Sequence, residues 1–443
     1  MDNRIDSQER ALALKCLEFA KTEGASAARV TLNKSVMDLV GTLNGEIDKV
    51  SHCLDRSISL SLFVSGRYGT YSTNNICEDS LKDFVAKAVK TTSIFAEDGC
   101  RRLPDPSRKA KDAGKGDELG LYDAEYEAVT PESRISRALG ASIYNELRPV
   151  SEEAEYSDCL YDTLVVDTDG LECRHTETSF EYGVEMTVSD GSGNKFSSFW
   201  WDASTFLKDF NLKGCARKAY DDAVAQFGPK PVESGKYNAV ILSKVASKVV
   251  SPVLNALGGY AIQQNNSFLL GRLGEKVFSE GLTIVDECRS AGFTGSRLFD
   301  SEGVATKVHP VIEKGKVKEY FINTYMSGKL GMEPTVEDIT RARILPFPKP
   351  GMDHVDIMGL CGDGILITDF NGGNSNTATG DFSYGFSGFL FKDGKIVHPV
   401  REMVMTGNFI SLWNNLTAAG EDARPCFSKL IPTLAFSNVD ISA

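Results

Sequence analysis

The chain contains 443 residues, of which 42% are apolar and 25% are charged, proportions that are typical of a globular protein. The chain has 48 Lys and Arg residues and 61 Asp and Glu residues, so its formal net charge is −13. This charge argues against direct nucleic-acid binding through a basic face. The length suggests two or three domains. Residues 1–10 are too polar for a secretory signal, and no apolar run is long enough for a membrane span.

Helices and hairpins alternate in the first half of the chain, which we interpret as an N-terminal α+β domain over residues 1–228. Asp6 and Glu9 form a capping-box pattern before a helical run, and Asn44-Gly45 is typical of a tight hairpin turn. Pro131 is placed to begin another helix, which the pattern extends to Leu147. Further predictions are a hairpin at Asp169-Gly170, a turn at 190–194 and a helix at 204–226.

Two stretches of this half have a biased composition. Residues 101–118 are rich in Pro, Gly and Lys, which predicts a loop or a mobile linker. Residues 117–172 hold 15 acidic and 3 basic residues, a local balance of 3 − 15 = −12. This acidic stretch is either a docking face for a basic surface or a set of solvated helix and loop positions.

The second half reads as a C-terminal domain over residues 235–443, after a Pro- and Gly-containing break. It begins with a short strand at 238–242 and a helical segment at 244–257 that contains Pro252. Later short strands with turns at 315–316 and 394–395 predict mainly antiparallel sheet with one or two helices. Since strands and helices do not alternate as βαβ units, we assign the α+β class, with helices packed on β-hairpins in the first domain.

Familiar catalytic motifs are absent from the sequence. It has no Gly-rich phosphate loop and no G-x-S-x-G nucleophile elbow. No two of its ten cysteines form C-x-x-C, and none of its five histidines pairs with another at helical spacing, so no local zinc site is predicted. Scattered cysteines without an export signal indicate reduced thiols and a cytoplasmic location. A site assembled from His309, His354 and Cys361 stays open as an alternative.

Residues 369–388 form a segment rich in Gly, Asn, Ser and Thr. Because Gly has no Cβ, such a backbone can approach a ligand closely. The segment is either a loop that lines a cleft and offers main-chain hydrogen bonds to a peptide, or a turn-rich connection.

Several strings, in their order along the chain, together resemble the TldD/PmbA family, whose members are often labelled modulators of DNA gyrase. The resemblance covers most of the chain and is densest after Asn238. The strings are NSFLLGRLGEKV at 266–277, GLTIVDE at 281–287, FDSEG at 299–303, PGM at 350–352, TGDFS at 379–383, HPVRE at 398–402 and IPTL at 431–434.

This resemblance implies a cytoplasmic zinc peptidase built from two related subunits, of which the TldD type carries H-E-x-x-x-H on a helix. Counting back from residues 271–274, the two histidine positions are occupied here by Val250 and Asn255 and the glutamate position by Ser251. Valine has no donor atom, an amide is a poor zinc ligand, and a serine cannot replace the carboxylate base. The chain therefore resembles the PmbA/TldE type, with no catalytic residue and no metal of its own.

For partners, the resemblance implies a TldD-type homologous subunit that carries the zinc, and an extended peptide as substrate. We also expect a dimer of some kind, with a homodimer of the chain alone left open, and no membrane association. The residues that we assign to a peptide or partner cleft are Thr379, Gly380, Asp381, Phe382 and Ser383.

Three hypotheses for the function follow. The first is a non-catalytic subunit that completes the peptide cleft of a TldD-type zinc metalloprotease. The second is a stand-alone hydrolase with an unrecognised site that uses His309, His354, His398 or Cys361. The third is a binding protein that modulates DNA gyrase without proteolysis, with the acidic stretch as its docking face.

Overall fold

The computed structural model describes residues 3–212 and 214–443. Met1 and Asp2 of the predicted first domain, and Lys213 of the predicted 204–226 helix, lie outside the described residues. The chain divides into two compact units, and both combine helices with β-sheets, which confirms the α+β class. The first unit comprises Met1–Asp221, Arg289–Thr306 and Asn323–Glu337, and the second comprises Asp222–Cys288, Lys307–Ile322 and Asp338–Ala443.

The first unit is built on long antiparallel strands. Six strands of the described chain form one sheet in the order β3-β2-β1-β4-β5-β6, and each neighbouring pair is antiparallel. Its elements up to residue 204 are α1 (Ser7–Thr22), β1 (Ala27–Leu43), β2 (Glu46–Val64), β3 (Arg67–Thr73), α2 (Glu78–Thr92), α3 (Pro131–Gly140), α4 (Tyr144–Leu147), β4 (Ser151–Asp167), β5 (Glu172–Ser189) and β6 (Lys195–Ser204).

Local sequence signals explain where several of these elements begin. The Asp6 carboxylate accepts hydrogen bonds from the backbone N–H groups of Gln8 and Glu9, and the Glu9 carboxylate accepts one from the Asp6 N–H. This is the predicted capping box, and it begins α1. Asn44 and Gly45 both have positive φ, as the predicted two-residue hairpin turn requires.

Two helices differ from the sequence prediction. The helix that begins at Pro131 ends at Gly140 and does not run to Leu147, which belongs to the separate α4. The predicted helix over 204–226 is wrong for its first half, since β6 continues to Ser204 and the next helix, α5, spans only Cys215–Val224. Ser204 pairs with Phe180 as the last residue of β6, and the Leu207 N–H donates to the Asp123 carboxylate, so these contacts replace helical hydrogen bonds there.

Alternation along β1 builds the apolar core of this unit. Ala28, Val30 and Leu32 are fully buried, and the same cluster contains residues of α1, α2 and β2. Over residues 27–35, the odd-numbered residues of the strand point to the other face and are partly exposed. This part of β1 therefore has one buried and one more accessible face, as period-2 alternation requires.

The stretch 101–118 is a loop, with a single 3₁₀ turn at Pro106–Arg108. Ala110 and Ala113 are buried in a cluster that includes Leu121 and Cys173. The Lys109 ammonium lies 2.5 Å from the Asp167 carboxylate, and both side chains are almost fully buried. These contacts attach the loop to β4 and β5.

The second unit contains most of the elements after residue 224. Helix α8 (Thr324–Leu330) belongs to the first unit. No helix within 3–212 and 214–443 is both long and apolar enough to cross a membrane. The other elements are β7 (Gly235–Ile241), α6 (Ser247–Ala256), α7 (Gly259–Gln263), β8 (Ile284–Asp286), β9 (His309–Glu313), β10 (Lys316–Val317), β11 (Ala342–Ile344), α9 (His354–Cys361), β12 (Gly364–Phe370), β13 (Asn374–Ser375), β14 (Asp381–Lys392), β15 (Lys395–Asn408), α10 (Phe409–Asn414), β16 (Leu416–Ala419) and β17 (Leu434–Ser442).

The main sheet of the second unit closes on itself. Its pairings run β12-β7-β17-β15-β14, and β14 pairs again with β12. The contact between β7 and β12 is parallel and the others around the ring are antiparallel, so the predicted mainly antiparallel character is confirmed. A smaller sheet has the order β10-β9-β8-β11.

Both predicted Gly-Lys turns fall between paired strands of this unit. The first lies between β9 and β10, where a Cβ on Gly315 would come within 2.0 Å of the Phe278 carbonyl oxygen. Only glycine fits so close to a neighbouring backbone at a positive φ. The second turn, at Gly394, joins β14 to β15.

A buried ion pair below the first sheet generates a stability prediction. The Arg134 guanidinium donates to both carboxylate oxygens of Asp158, at 2.8 and 2.7 Å, and Asp158 is fully buried. Arg134→Met leaves that carboxylate without its cation, and we expect the free energy of unfolding to fall by about 3–5 kcal/mol in urea denaturation.

The matched control is Arg217→Met. Arg217 pairs with Asp221 at 3.1 Å on α5, but both side chains are more than half exposed. We expect a change of about 0–1 kcal/mol for this variant. Equal effects of the two substitutions would contradict the assigned role of Arg134.

Candidate functional site

Helix α6 carries the three positions at which the resemblance places a zinc motif. The Trp413 indole donates to the carbonyl of Val249 at 3.3 Å, and the Ser267 hydroxyl donates to the carbonyl of Ala256 at 2.6 Å. Both halves of α6 are therefore tied to neighbouring segments. Pro252 lies inside the helix, and the helix continues through it.

The side chains at the motif positions have different surroundings. Val250 is fully buried, Ser251 is half-buried and Asn255 is exposed. Five residues turn an α-helix by about 140° beyond one full turn, which accounts for the different burial of Val250 and Asn255. An apolar side chain in the core, a hydroxyl and an exposed amide do not fit the donor set that zinc prefers.

The alternative zinc or hydrolase residues have structural partners. His309 lies in β9, with Nδ1 2.9 Å from the Lys307 carbonyl and Nε2 2.8 Å from the Glu319 carboxylate. His398 lies in β15, with Nδ1 3.0 Å from the carbonyl of Pro399. Across 3–212 and 214–443, no three His, Cys, Asp or Glu side chains come together in a group that could hold a metal ion.

His354 and Cys361 lie at opposite ends of α9, at its first and last residues. Burial raises the pKa of the Cys361 thiol, and this disfavours the thiolate that a cysteine nucleophile needs. His354 and Cys361 therefore do not form the pair of base and nucleophile that a stand-alone hydrolase would need.

The Gly-rich segment folds into strands and a tight turn. After β12, residues 374–375 form β13, and Asp381 begins β14 directly after the turn. The Asn376 carboxamide accepts hydrogen bonds from the N–H groups of Ala378 and Thr379, and its carbonyl accepts one from the N–H of Gly380. Most main-chain groups at this turn are thus already paired within the chain.

Asn408 holds the turn against the end of β15. Its side-chain amide donates to the Thr379 carbonyl and to the Asp381 carboxylate, both at 2.9 Å, while its side-chain oxygen begins α10 by accepting from the Ile410 N–H. The Gly380 carbonyl accepts a further hydrogen bond from the Phe409 N–H at 2.8 Å.

Of the five residues assigned to a cleft, three are exposed and two are buried. Phe382 is buried, and its ring centroid lies 4.8 Å from that of Phe409 and 5.3 Å from that of Tyr384. Asp381 and Ser383 are exposed on the opposite face of β14. The exposed side chains of this set, and not its backbone, are therefore the groups that remain available to a ligand.

One contact joins this strand to α6. The Lys248 ammonium lies 4.7 Å from the centre of the Tyr384 ring, which is a cation–π distance. Helix α6 and the strand with the proposed cleft residues are therefore neighbours within the second unit, although the sequence separates them by about 130 residues.

The acidic stretch 117–172 does not form one surface. Asp158, Asp162 and Asp167 lie in β4, are almost fully buried and pair with Arg134, Arg174 and Lys109. Glu153 and Glu155 lie in the same strand and are exposed. Alternation along β4 thus separates interior ion pairs from surface carboxylates, which composition alone cannot do.

A row of residues across the sheet of the first unit was missed by sequence reasoning. Strand register aligns Lys49, Gly41, Glu155, Gly183 and Trp201 on neighbouring strands. Lys49 extends over Gly41 and lies 2.8 Å from the Glu155 carboxylate. A shallow groove of about 370 Å³ follows this row. The row could not be predicted from the sequence because each of its residues lies on a different strand.

Comparison with protein-family models matches three successive parts of the chain. Residues 28–92 match PmbA/TldA metallopeptidase domain 1, residues 120–227 match the central domain, and residues 234–443 match the C-terminal domain.

Curated relatives extend the match over nearly the full chain. The metalloprotease PmbA homolog of Haemophilus influenzae is 27% identical over 422 residues, which cover 92% of this chain and 90% of the relative. Metalloprotease PmbA of Escherichia coli O157:H7 is 23% identical over 451 residues, with 98% and 97% covered.

Solved structures show the same fold. A Bacteroides thetaiotaomicron protein named as a candidate modulator of DNA gyrase is 36% identical, with a TM-score of 0.94 and coverage of 99% of this chain and 100% of that chain. TldE of Thermococcus kodakarensis is 18% identical, with a TM-score of 0.83 and coverage of 98% and 100%. The chain belongs to the PmbA/TldD metallopeptidase family.

Proposed function

We propose that this chain is a non-catalytic, PmbA/TldE-like subunit of a cytoplasmic TldD-type zinc metalloprotease that cleaves extended or unfolded peptides. The observation that carries the proposal is the composition of α6. A helix that would need two imidazoles and a carboxylate has a buried valine, a serine and an exposed asparagine at those positions. Zinc would then be held by a homologous subunit with the H-E-x-x-x-H motif.

The packing around α6 supports this assignment. Val250 is one of five buried residues of the helix, and apolar packing of this density leaves no room for a polar ligand and its ion. The helix is retained as a structural element of the second unit, through its bonds to Trp413 and Ser267.

The contribution to substrate binding would come from neighbouring exposed side chains. Tyr260 is 68% exposed, and Leu270 and Leu273 are each 42% exposed, in the segment that follows α6. Exposed apolar side chains of this kind are suited to an extended peptide or a partner surface.

The direct test uses three samples: this chain alone, a TldD-type homologue alone and an equimolar mixture. We expect well below one zinc ion per chain by mass spectrometry for this chain alone, and no cleavage of a fluorescently labelled unfolded protein. The mixture should cleave faster than the homologue alone. Near one zinc per chain, or cleavage by this chain alone, would contradict the proposal.

A second prediction compares two histidine substitutions in α6. Val250→His places an imidazole in a fully buried apolar site, and we expect the free energy of unfolding to fall by about 1–3 kcal/mol. Asn255→His is at an exposed position and should change stability by less than about 0.5 kcal/mol. Urea denaturation measures both.

Zinc binding is tested with the double variant that combines Val250→His and Asn255→His. Because the two positions differ in burial, we expect one equivalent of zinc to leave its denaturation midpoint unchanged. A clear zinc-dependent rise in the midpoint would show that α6 still supports a metal site.

A third prediction addresses the cleft assignment at β14. Ser383 is exposed and lies beside Thr406 of β15. Ser383→Arg adds bulk and charge to that face, and we expect about a tenfold lower kcat/KM of the mixed complex, equivalent to ~1.4 kcal/mol. The control, Thr70→Arg, lies at an exposed strand position of the first unit and should leave the rate unchanged. Equal rates for both variants would remove Ser383 from the cleft.

A further inference from the structure

The shallow groove across the sheet of the first unit carries more negative than positive charge. Among the described residues, its lining includes the ammonium of Lys49 and four carboxylates, those of Asp48, Glu153, Glu155 and Glu185. Lys49 is already paired with Glu155 at 2.8 Å. Glu153 and Glu185 are both exposed, and neither makes an ion pair within residues 3–212 and 214–443. The groove therefore has carboxylates to offer to a cation from outside the chain.

Two of these carboxylates repel each other. Glu153 and Glu185 lie directly opposite each other on β4 and β5, and like charges at such positions, with Cβ atoms about 4.5–5.5 Å apart, are destabilising. Glu155, as a hydrogen-bond partner and as a charge, raises the pKa of Lys49. The charges of Asp48 and Glu153 raise that pKa further. A cation between Glu153 and Glu185 would remove the repulsion.

Aromatic side chains and a glycine complete the groove around the carboxylates. Phe199 faces Glu185 across the ladder between β5 and β6 and is 42% exposed. In the next row, Gly183 lies between Glu155 and Trp201. A Cβ on Gly183 would meet the Trp201 Cβ at 3.9 Å, an ordinary contact distance. The surface of the sheet therefore leaves space above Gly183, beside the acidic pair and the aromatic ring.

We propose that this groove binds an arginine side chain of an extended peptide. The guanidinium lies between Glu153 and Glu185 and stacks against the Phe199 ring. A guanidinium suits this arrangement because it is planar, donates to carboxylates from several N–H groups and stacks on aromatic faces, whereas an ammonium is a compact point charge. The inference concerns the first unit and is tested as binding by this chain alone, so it does not depend on the proposed proteolytic function.

The dimensions of the groove favour a peptide over a small free cation. Its lining residues come from the neighbouring strands β2, β1, β4, β5 and β6. Strands lie about 4.8 Å apart, so the distance from the first of these strands to the last is roughly 19 Å. An extended chain advances about 3.3 Å per residue, and about six residues cover that length. A free arginine would occupy only part of the groove.

Binding of a labelled peptide tests the ligand. The probe is an amidated hexapeptide of glycine and serine with one arginine and a neutral N-terminal fluorophore, and fluorescence anisotropy measures its Kd for the full chain. The matched peptide has citrulline in place of arginine, which keeps the shape of the side chain and removes its charge. We expect the arginine peptide to bind about tenfold more tightly, and its binding to weaken as salt is added. Equal Kd values for the two peptides would overturn the proposal.

A competition experiment separates a peptide from a small cation. Unlabelled hexapeptide and N-acetylarginine amide each displace the labelled probe. Because the amide covers only part of the groove, we expect it to need about a tenfold higher concentration than the hexapeptide. Displacement by both compounds at the same concentration would show a site for small cations and would contradict the assignment of a peptide.

Substitutions in the acidic pair test the position of the site. Glu153→Gln and Glu185→Gln each remove one carboxylate, and we expect about a tenfold higher Kd for the arginine peptide in each case. Each variant should also unfold at a slightly higher urea concentration, because the like-charge pair is lost. Weaker binding by a chain that is at least as stable as the original cannot result from misfolding.

The matched control is Asp83→Asn, which removes an exposed carboxylate of α2 that does not line the groove. It changes the net charge by the same amount as each groove variant and should leave the Kd of the arginine peptide unchanged. An equal loss of binding in Asp83→Asn would indicate attraction to the net charge of the protein only. That result, or unchanged binding in both groove variants, would overturn the proposal.

Discussion

The pairing of strand edges is the constraint on which the two units depend. Every backbone N–H and C=O removed from water needs a partner, and long strands multiply those groups. The second unit satisfies the requirement by closing its main sheet from β12 around to β14. The first unit satisfies it along both sides of β1 and leaves an edge of β2 open.

The position of α6 in the second unit does not depend on metal-binding residues. Its position depends on hydrogen bonds from the Trp413 indole and the Ser267 hydroxyl to its backbone carbonyls, and on the packing of residues such as Val250. None of these contacts needs an imidazole or a carboxylate. A fold whose helix is held by apolar packing can keep its architecture whether or not that helix holds zinc, which is why architecture alone does not determine activity.

The sequence predicted features that depend on local chemistry. The capping box at Asp6 and the turn at Asn44-Gly45 each require only neighbouring residues, and both were found. The helix predicted from Ser204 was half wrong because contacts with distant residues, Phe180 for Ser204 and Asp123 for Leu207, determine the beginning of that segment. The closed sheet, the row from Lys49 to Trp201 and the division of the acidic stretch all need strand register, which period-2 patterns cannot supply.

At the candidate site, the types of residue could be interpreted from the sequence, but their burial and their hydrogen bonds could not. The order of the family-like strings predicts where a zinc motif would fall on α6, but the burial of Val250 and the exposure of Asn255 required the fold. The Gly-rich segment was expected to offer its backbone to a ligand, and its backbone is instead largely paired at the turn, with Asn408 as a main partner. Small polar residues in a row therefore indicate a compact turn as readily as a binding loop.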